Sequence, residues 1–275
     1  DLLLLPDPGY PDYLSGVSLG RVAYETFPLT AENDFLPDLD AIPEETARRA
    51  KFIYINYPNN PTGAVATKAF YEKLVAWAKT YEVGVVSDLA YGALGYRGYE
   101  NPSFLSTPGA KDVGVEFYTF SKTFNMAGWR LAFAAGNDQM IEALNLIQDH
   151  LFVGIFPALQ EAGIAALLDP KSEEAVAQLN ATYDSRRDAF VQAAAKIGWK
   201  AFPSKGSFYA WMPVPEGYTS ESFADLLLEK AHVAVAPGKG FGPAGDAYVR
   251  IGLLVEPERL VEAVDRIANL QLFNN

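Results

Sequence analysis

Short apolar runs alternate with amphipathic segments along the first half of the chain. The runs are rich in β-branched and aromatic residues, which is typical of buried strands, and they lie at 2–5, 21–29, 51–58, 83–88, 115–120 and 130–136. Between them, the spacing of apolar residues predicts a short helix over 37–42 and a longer one over 67–81. Because strands that alternate with helices form parallel sheets, the pattern predicts an α/β fold with a mainly parallel sheet in a three-layer domain.

The second half of the chain begins with three helical patterns and then returns to strands. The helices are predicted at 139–150, 157–168 and 172–197. We interpret the last one as the connection between a large domain, 1–181, and a small α+β domain, 182–275. In the small domain, strands are predicted at 199–202, 207–214, 232–237 and 248–254, and helices at 220–230 and 257–270.

The composition disfavours several classes of binding partner and of functional site. The 275 residues carry a formal net charge of −12 with a pI near 4.7, which disfavours binding to nucleic acid or to an anionic membrane. The absence of cysteine excludes disulfides and a cysteine nucleophile, and two histidines are too few for an ordinary histidine-rich metal site. No apolar run has the length of a membrane span and no basic region precedes Leu2, so we expect a cytoplasmic protein that acts on small molecules.

A lysine and an arginine bracket a loop of small residues after one predicted strand. The segment 118–130 reads YTFSKTFNMAGWR, so Lys122 follows the strand and Arg130 comes eight residues later. The hydroxyls of Thr119 and Ser121, together with the guanidinium group of Arg130, would suit a phosphate group. Lys122 would then be free for covalent chemistry, although a surface lysine at a strand end fits the same pattern.

Other polar residues also follow predicted strands. Asn60 and Asp88 lie at strand ends, and the carboxyl edge of a parallel sheet is where ligands collect. A buried aspartate needs a cation or several donors, so Asp88 is expected to have a fixed partner such as a protonated ring nitrogen. Asn60 and Tyr91 would reach the same ring. An ordinary helix N-cap is the alternative for Asp88.

The segment after the first strand contains Pro8, Tyr10, Pro11 and Tyr13, which together predict a loop. Tyr10 is the residue of interest there. An aromatic ring at the C-terminal end of a strand would stack on a planar ligand. Packing within the turn is the alternative.

In this order and with these spacings, the motifs NPTG, D-x-x-Y and TFSK resemble those of pyridoxal-phosphate-dependent aminotransferases of class I/II, fold type I. The resemblance runs the length of the chain. It implies that Asn60 binds the phenolic oxygen of pyridoxal 5'-phosphate and that Asp88 binds the pyridine nitrogen, with Tyr91 adding a phenol. It further implies that Lys122 is the Schiff-base lysine and that the Asn60–Pro61 peptide bond is cis.

The resemblance extends to the phosphate and the substrate. It implies that Thr119, Ser121 and Arg130 hold the cofactor phosphate and that Tyr10 lies over the cofactor ring. Arg250, inside the apolar run YVRIGLL, resembles the arginine that binds the substrate α-carboxylate in two hydrogen bonds. An edge-strand arginine that faces water is the alternative.

The implied activity is transfer of an amino group from an L-amino acid to a 2-oxo acid by a homodimer. Lys122 would move a proton between substrate and cofactor. The segments SKTFNMAGWR and QDHLFVGIFPALQEA are similar to bacterial branches that act on diaminopimelate, its N-acetyl form or aspartate. A carbon–sulfur β-lyase shares these motifs. A non-catalytic ligand-binding domain of a transcription regulator is the second alternative, against which the retained Lys122 and the lack of a basic segment argue.

The resemblance also concerns residues outside these 275. Family members carry further sequence before the position of Asp1, which would include a glycine- and serine-rich turn for the cofactor phosphate and a tyrosine donated across the dimer interface. We therefore expect the 275 residues to be part of a longer chain.

Overall fold

A sheet of six strands forms the centre of the larger part of the protein. The computed structural model describes residues 1–273. The six strands are β1 (Leu2–Asp7), β2 (Ala23–Pro28), β3 (Ala50–Asn56), β4 (Gly84–Asp88), β5 (Gly114–Thr119) and β6 (Ala132–Gly136). Their order is β2-β1-β3-β4-β5-β6, and only the β5–β6 pair is antiparallel. The prediction of a mainly parallel sheet is confirmed.

Helices cover both faces of this sheet. They are α1 (Asp12–Gly20), α2 (Glu44–Arg49), α3 (Lys68–Tyr81), α4 (Ala110–Val113), α5 (Phe120–Thr123), α6 (Asp138–Leu151) and α7 (Pro157–Leu168). Successive side chains of β1 point to opposite faces of the sheet. Leu2 and Leu4 pack in the core cluster that includes α3, whereas Leu3 and Leu5 pack with Val17 of α1. The three-layer arrangement follows from this alternation.

A smaller antiparallel sheet belongs to the second half of the chain. Its strands are β7 (Tyr209–Pro213), β8 (Ala236–Pro237) and β9 (Tyr248–Gly252), in the order β7-β9-β8. The accompanying helices are α8 (Ser172–Lys196), α9 (Ser220–Leu226) and α10 (Pro257–Ala268). The buried residues of α8 begin at Tyr183, and they pack in a core cluster with α10. This supports a domain boundary at 181/182, which stays a prediction.

The sequence pattern missed helix α1, and the loop predicted through Tyr13 is wrong from Asp12 onward. In α1, Tyr13 and Val17 are four residues apart and face the sheet together. Serines and glycines at 15, 16, 18 and 20 dilute this pattern. The helical period is therefore weak in the sequence although the helix forms.

Other predicted elements are shorter than expected. The strand at 199–202 is absent, although the Phe202 NH donates to the Trp211 carbonyl of β7 at 3.0 Å and the buried Trp199 donates from Nε1 to the Pro213 carbonyl at 2.7 Å. The strand at 232–237 is reduced to β8, since His232 has a φ of 55° and cannot continue an extended chain. The helix at 37–42 is one 3-10 turn, Leu39–Ala41. The helix at 220–230 changes after α9 into a π-helical segment, Leu227–Ala231.

The sheet register places polar strand ends side by side. Asn56 of β3 pairs with Asp88 of β4, which in turn pairs with Phe117 of β5. Behind them, the buried Glu116 of β5 accepts hydrogen bonds from Ser87 (3.0 Å) and from the backbone NH of Phe104 (2.8 Å). Because a buried carboxylate is stable only with such donors, these contacts hold β4, β5 and the preceding loop together.

Two further observations concern the described residues as a whole. No helix within 1–273 is both long and apolar enough to cross a membrane. The same residues contain no group of three or more His, Asp or Glu side chains placed to hold a metal ion.

Candidate active site

Asp88 is the last residue of β4 and lies at the carboxyl edge of the larger sheet. Its Oδ2 accepts a hydrogen bond of 2.7 Å from the Tyr13 hydroxyl, and its Oδ1 accepts one of 3.0 Å from the Ala90 NH. Asn56 donates to the Asp88 carbonyl at 2.9 Å. A turn rather than a helix follows Asp88, so the helix N-cap alternative is wrong. Burial raises the pKa of Asp88, while Tyr13, Ala90 and the charge of Lys122 oppose that rise.

Lys122 lies in the first turn of α5, directly after β5. Its Nζ lies 5.6 Å from the ring centre of Phe208 and 6.0 Å from that of Tyr91. Burial lowers the pKa of Lys122 below its ordinary value, and the positive charges of Arg130 and Arg250 lower it further, against the opposite effect of Asp88. A partly buried amine with a lowered pKa is suited to nucleophilic and proton-transfer chemistry.

The residues expected to bind phosphate lie around the start of α5. Thr119 caps this helix by accepting from the Ser121 NH at 3.2 Å, and its hydroxyl donates to the Ser121 hydroxyl at 2.9 Å. Arg130 is exposed, has a φ of 55° and donates to the Ala127 carbonyl at 3.0 Å. The two hydroxyls are therefore adjacent, while the guanidinium group folds back on its own loop.

Arg250 reaches the cleft from the smaller sheet. It lies on β9, the central strand of that sheet, so the edge-strand alternative is wrong. Its Nη1 donates to Oδ1 of Asn60 at 2.7 Å. Asn60 is buried, and its own NH donates to Asn56 Oδ1 at 2.8 Å. The Asn60–Pro61 bond is cis, which confirms the prediction from the sequence. Asn60 thus connects the end of β3 to the arginine.

Tyr91 and Tyr10 both lie near enough to Asp88 for its charge to act on them. Tyr91 is buried, and its hydroxyl lies 3.3 Å from that of Tyr209. Tyr10 is more open, and 39% of its surface is exposed. The Tyr10 hydroxyl donates to Asp12 at 2.5 Å, and this bond raises the pKa of Tyr10 to about 12. Its ring packs edge-on against Tyr13. The ring of Tyr10 would therefore lie beside a planar ligand that binds above Asp88.

Sequence reasoning missed several residues of the cleft: Tyr13, Asn56, Phe208, Tyr209 and Phe241. Tyr13 follows Tyr10 by three residues, a spacing that places two side chains on neighbouring positions of a helix. Asn56 ends its strand in register with Asp88, which a strand alignment would have shown. The three aromatic residues come from the smaller sheet and the loop before β9. No local pattern relates them to Lys122.

The residues present fit pyridoxal 5'-phosphate. Within the described part of the chain, Asp88 forms no ion pair, so its carboxylate is held by neutral donors and remains suited to a protonated ring nitrogen. Lys122 offers an amine to the aldehyde, and Thr119, Ser121 and Arg130 offer donors to the phosphate. The fold and this set of residues together define a fold-type I pyridoxal-phosphate-dependent transferase.

The chain belongs to the aminotransferase class I and II family, whose model matches residues 1–267. It is 56% identical over 273 residues to L-glutamine--4-(methylsulfanyl)-2-oxobutanoate aminotransferase of Bacillus subtilis, covering 99% of this chain and 68% of that protein. It is 49% identical over 267 residues to LL-diaminopimelate aminotransferase of Moorella thermoacetica, covering 97% and 68%.

Solved structures agree with this assignment. The substrate-bound structure of BacF from Bacillus subtilis superposes with a TM-score of 0.94 at 47% identity, over 99% of this chain and 69% of that one. A probable N-succinyldiaminopimelate aminotransferase from Thermus thermophilus superposes with a TM-score of 0.92 at 36% identity, over 98% and 71%. The predicted family, fold class, enzyme class and cofactor are confirmed.

The lowered pKa of Lys122 generates a testable prediction. In the cofactor-free full-length protein, we expect Lys122 to be acetylated with a midpoint below pH 10.5, the ordinary value for lysine. Arg130→Gln removes a repelling charge and should raise the midpoint, whereas Asp88→Asn removes an attracting charge and should lower it. Mass spectrometry of the Lys122 peptide across a pH series measures this, with the exposed Lys51 as internal reference. A midpoint at or above pH 10.5 would contradict the assignment.

Proposed function

We propose that Lys122, Asp88, Asn60 and Arg250 carry out the transamination of this family on an L-amino acid and a 2-oxo acid. The observation that supports this most strongly is their convergence. The Arg250–Asn60 contact of 2.7 Å brings a guanidinium group from the smaller sheet to the strand ends where Asp88 and Lys122 lie. A carboxylate-binding group, an amine and an anchoring carboxylate thus share one cleft.

Arg250 holds the α-carboxylate of the substrate. The Asn60 contact uses Nη1, and the planar guanidinium group has further N–H donors that match two carboxylate oxygens. Because Asn60 accepts this bond through Oδ1, its NH₂ group can donate to the oxygen on the cofactor ring. Substrate carboxylate and cofactor edge are therefore fixed relative to each other by one arginine–asparagine pair.

Lys122 takes the proton from the substrate Cα and would deliver it to the cofactor in the amino-acid half-reaction, and would move it in the opposite direction with the 2-oxo acid. Its amine is neutral more often than that of an ordinary lysine, because burial and two neighbouring positive charges disfavour the ammonium form. Bound pyridoxal phosphate supplies an electron sink that stabilises the charge developing at Cα. Asp88, held in place by Tyr13 and Ala90, keeps the ring nitrogen protonated. Tyr91 and the ring of Phe208 limit access of water to the amine.

The remaining site residues position the cofactor. Thr119, Ser121 and Arg130 bind its phosphate group, for which the adjacent hydroxyls and the exposed guanidinium group are suited. Tyr10 packs over the ring. We assign these roles from side-chain chemistry and from their placement around Lys122.

The substrate side chain is proposed to be uncharged. A cavity of about 240 Å³ opens between Tyr10 and Phe241, and its lining combines aromatic and apolar side chains such as Leu5 and Leu14 with Asp7. In the described part of the chain, neither Lys nor Arg is among its lining residues, so a second substrate carboxylate would lack a cation there. The B. subtilis relative is named for glutamine and a thioether 2-oxo acid, which are uncharged at this end. Diaminopimelate, from the second relative, is the competing donor.

The protein is also proposed to be a homodimer. Large apolar side chains are exposed on α6 and α7 and in the segment between them, including Leu151 (72%), Phe152 (66%), Phe156 (68%) and Leu168 (76%). Patches of this kind mark protein interfaces, and we propose that a second copy covers this one. Sedimentation velocity on the full-length protein is the test, and a monomer at micromolar concentration would contradict the proposal.

A cytoplasmic location stays a prediction from the sequence.

Donor preference tests the proposed function directly. With 4-(methylsulfanyl)-2-oxobutanoate as acceptor, we expect the full-length holoenzyme to use glutamine with a kcat/KM at least about 10-fold above that for aspartate, because an unpaired buried carboxylate is costly. LL-diaminopimelate and 2-oxoglutarate complete the panel. Lys122→Ala should abolish turnover with every pair, whereas the exposed-lysine control Lys51→Ala should not change it.

Two outcomes of this panel would contradict the proposal. Turnover retained by Lys122→Ala would remove Lys122 from the chemistry. Release of pyruvate from cystathionine without an added 2-oxo acid, at a rate above transamination, would identify the carbon–sulfur β-lyase instead.

A further inference from the structure

The guanidinium group of Arg250 is enclosed between two aromatic rings. Its central carbon lies 4.1 Å from the ring centre of Tyr209 and 4.6 Å from that of Phe241. Both distances are within the range of cation–π contact. With both rings so close, a carboxylate reaches the guanidinium group most directly in its own plane, which is the geometry that two parallel hydrogen bonds require.

The two rings are held in place by different parts of the structure. Tyr209 belongs to β7 and is buried, and its hydroxyl lies 3.3 Å from Tyr91. Phe241 belongs to the loop 238–245, which has the sequence GKGFGPAG and connects β8 to the segment before β9. The position of the second ring therefore depends on the conformation of a loop.

Close backbone contacts give this loop a defined shape. A Cβ at Gly238 would lie 2.0 Å from the Gly245 carbonyl oxygen, and one at Gly245 would lie 2.2 Å from the Gly238 carbonyl oxygen. Gly242 has a φ of 130°, which a residue with a side chain rarely adopts. The ends of the loop thus meet without space for side chains, and the glycines are required for its closure.

The loop is also fastened to the end of β1 in the larger sheet. The NH of Gly9 donates to the Phe241 carbonyl at 2.8 Å. The buried carboxylate of Asp7 accepts from the NH of Ala244 at 3.0 Å. A Cβ at Gly242 would approach Asp7 Oδ1 to 2.2 Å, so the loop backbone lies directly against this carboxylate. Phe241 is therefore positioned by residues of both halves of the chain.

We propose that Phe241 is a positioning residue for substrate carboxylates, and that Asp7 acts through the 238–245 loop to hold it over Arg250. The inference rests on the proposed role of Arg250. Phe241 covers one face of the guanidinium group and the Asp7–Ala244 contact fixes the loop. Arg250 thereby keeps the orientation in which its free N–H groups face the cleft. Loss of the ring weakens carboxylate binding and leaves the chemistry at Lys122 intact.

The test separates binding from turnover in the full-length holoenzyme. Phe241→Leu keeps an apolar side chain but removes the aromatic face, and we expect KM for both the amino acid and the 2-oxo acid to rise about 10-fold, with kcat within about twofold. The inhibition constant of 4-(methylsulfanyl)butanoate, which has a carboxylate but neither an amino nor an oxo group, should rise by a similar factor. Phe241→Tyr retains the ring and is the matched control, with values close to wild type.

A second pair of variants tests the contact between Asp7 and the 238–245 loop. Asp7→Ala removes the acceptor for Ala244 and should raise the same constants, whereas Asp7→Asn retains an acceptor oxygen and should not. This pair keeps the inference testable if Phe241→Leu fails to fold. Cofactor content and the absorbance spectrum should remain those of the wild type in all folded variants.

The results also separate this inference from the role of Arg250. Arg250→Lys is measured in parallel, and an unchanged inhibition constant in that variant would overturn the proposed function of Arg250. A raised constant in Arg250→Lys with unchanged constants in Phe241→Leu and Asp7→Ala would overturn only the positioning role of Phe241. A loss confined to kcat in Phe241→Leu would overturn it as well.

Discussion

A half-buried carboxylate without an ion-pair partner in the described part of the chain is the constraint on which the site depends. Asp88 lies at the end of β4, where burial raises its pKa and only the Tyr13 hydroxyl, the Ala90 NH and the nearby charge of Lys122 oppose that rise. An unpaired buried charge is costly, so a carboxylate of this kind is stabilised when a bound ligand provides a positively charged partner. In the proposed function, the protonated ring nitrogen of pyridoxal phosphate is this partner.

The larger sheet brings neighbouring strand ends together around this carboxylate. Asn56 and Asp88 are adjacent in register, and Lys122 follows the neighbouring strand. The smaller sheet adds Arg250 through its contact with Asn60. The proposed proton transfer at Lys122 and the proposed carboxylate binding at Arg250 therefore involve residues of two separate sheets, which the Arg250–Asn60 hydrogen bond connects. In the proposed function this contact, and not proximity in sequence, links substrate recognition to the chemistry.

The sequence was informative wherever a local rule determines structure. Lys122, Asp88, Asn60 and Arg250 each stand at a strand end or inside an apolar run, and their order along the chain is sufficient to indicate the family. Tyr13 was missed because serines and glycines obscure the period of α1. Phe241 could not be assigned, since its place over Arg250 follows from loop closure and from contacts with β1 about 230 positions earlier. Contacts of this kind arise from tertiary packing, which short-range periodicity does not encode.

Replacement of the carboxylate by its neutral isostere is the most direct test of the central claim. Asp88→Asn preserves the shape and the acceptor for Ala90 but removes the charge. We expect the full-length variant to retain bound cofactor while its single-turnover transamination rate falls about 100-fold, since each pKa unit lost at the ring nitrogen is worth roughly tenfold. Asp225→Asn, an exposed aspartate on α9, is the control and should react at the wild-type rate. A single-turnover rate for cofactor-loaded Asp88→Asn within about twofold of wild type would contradict the proposed role of the Asp88 charge.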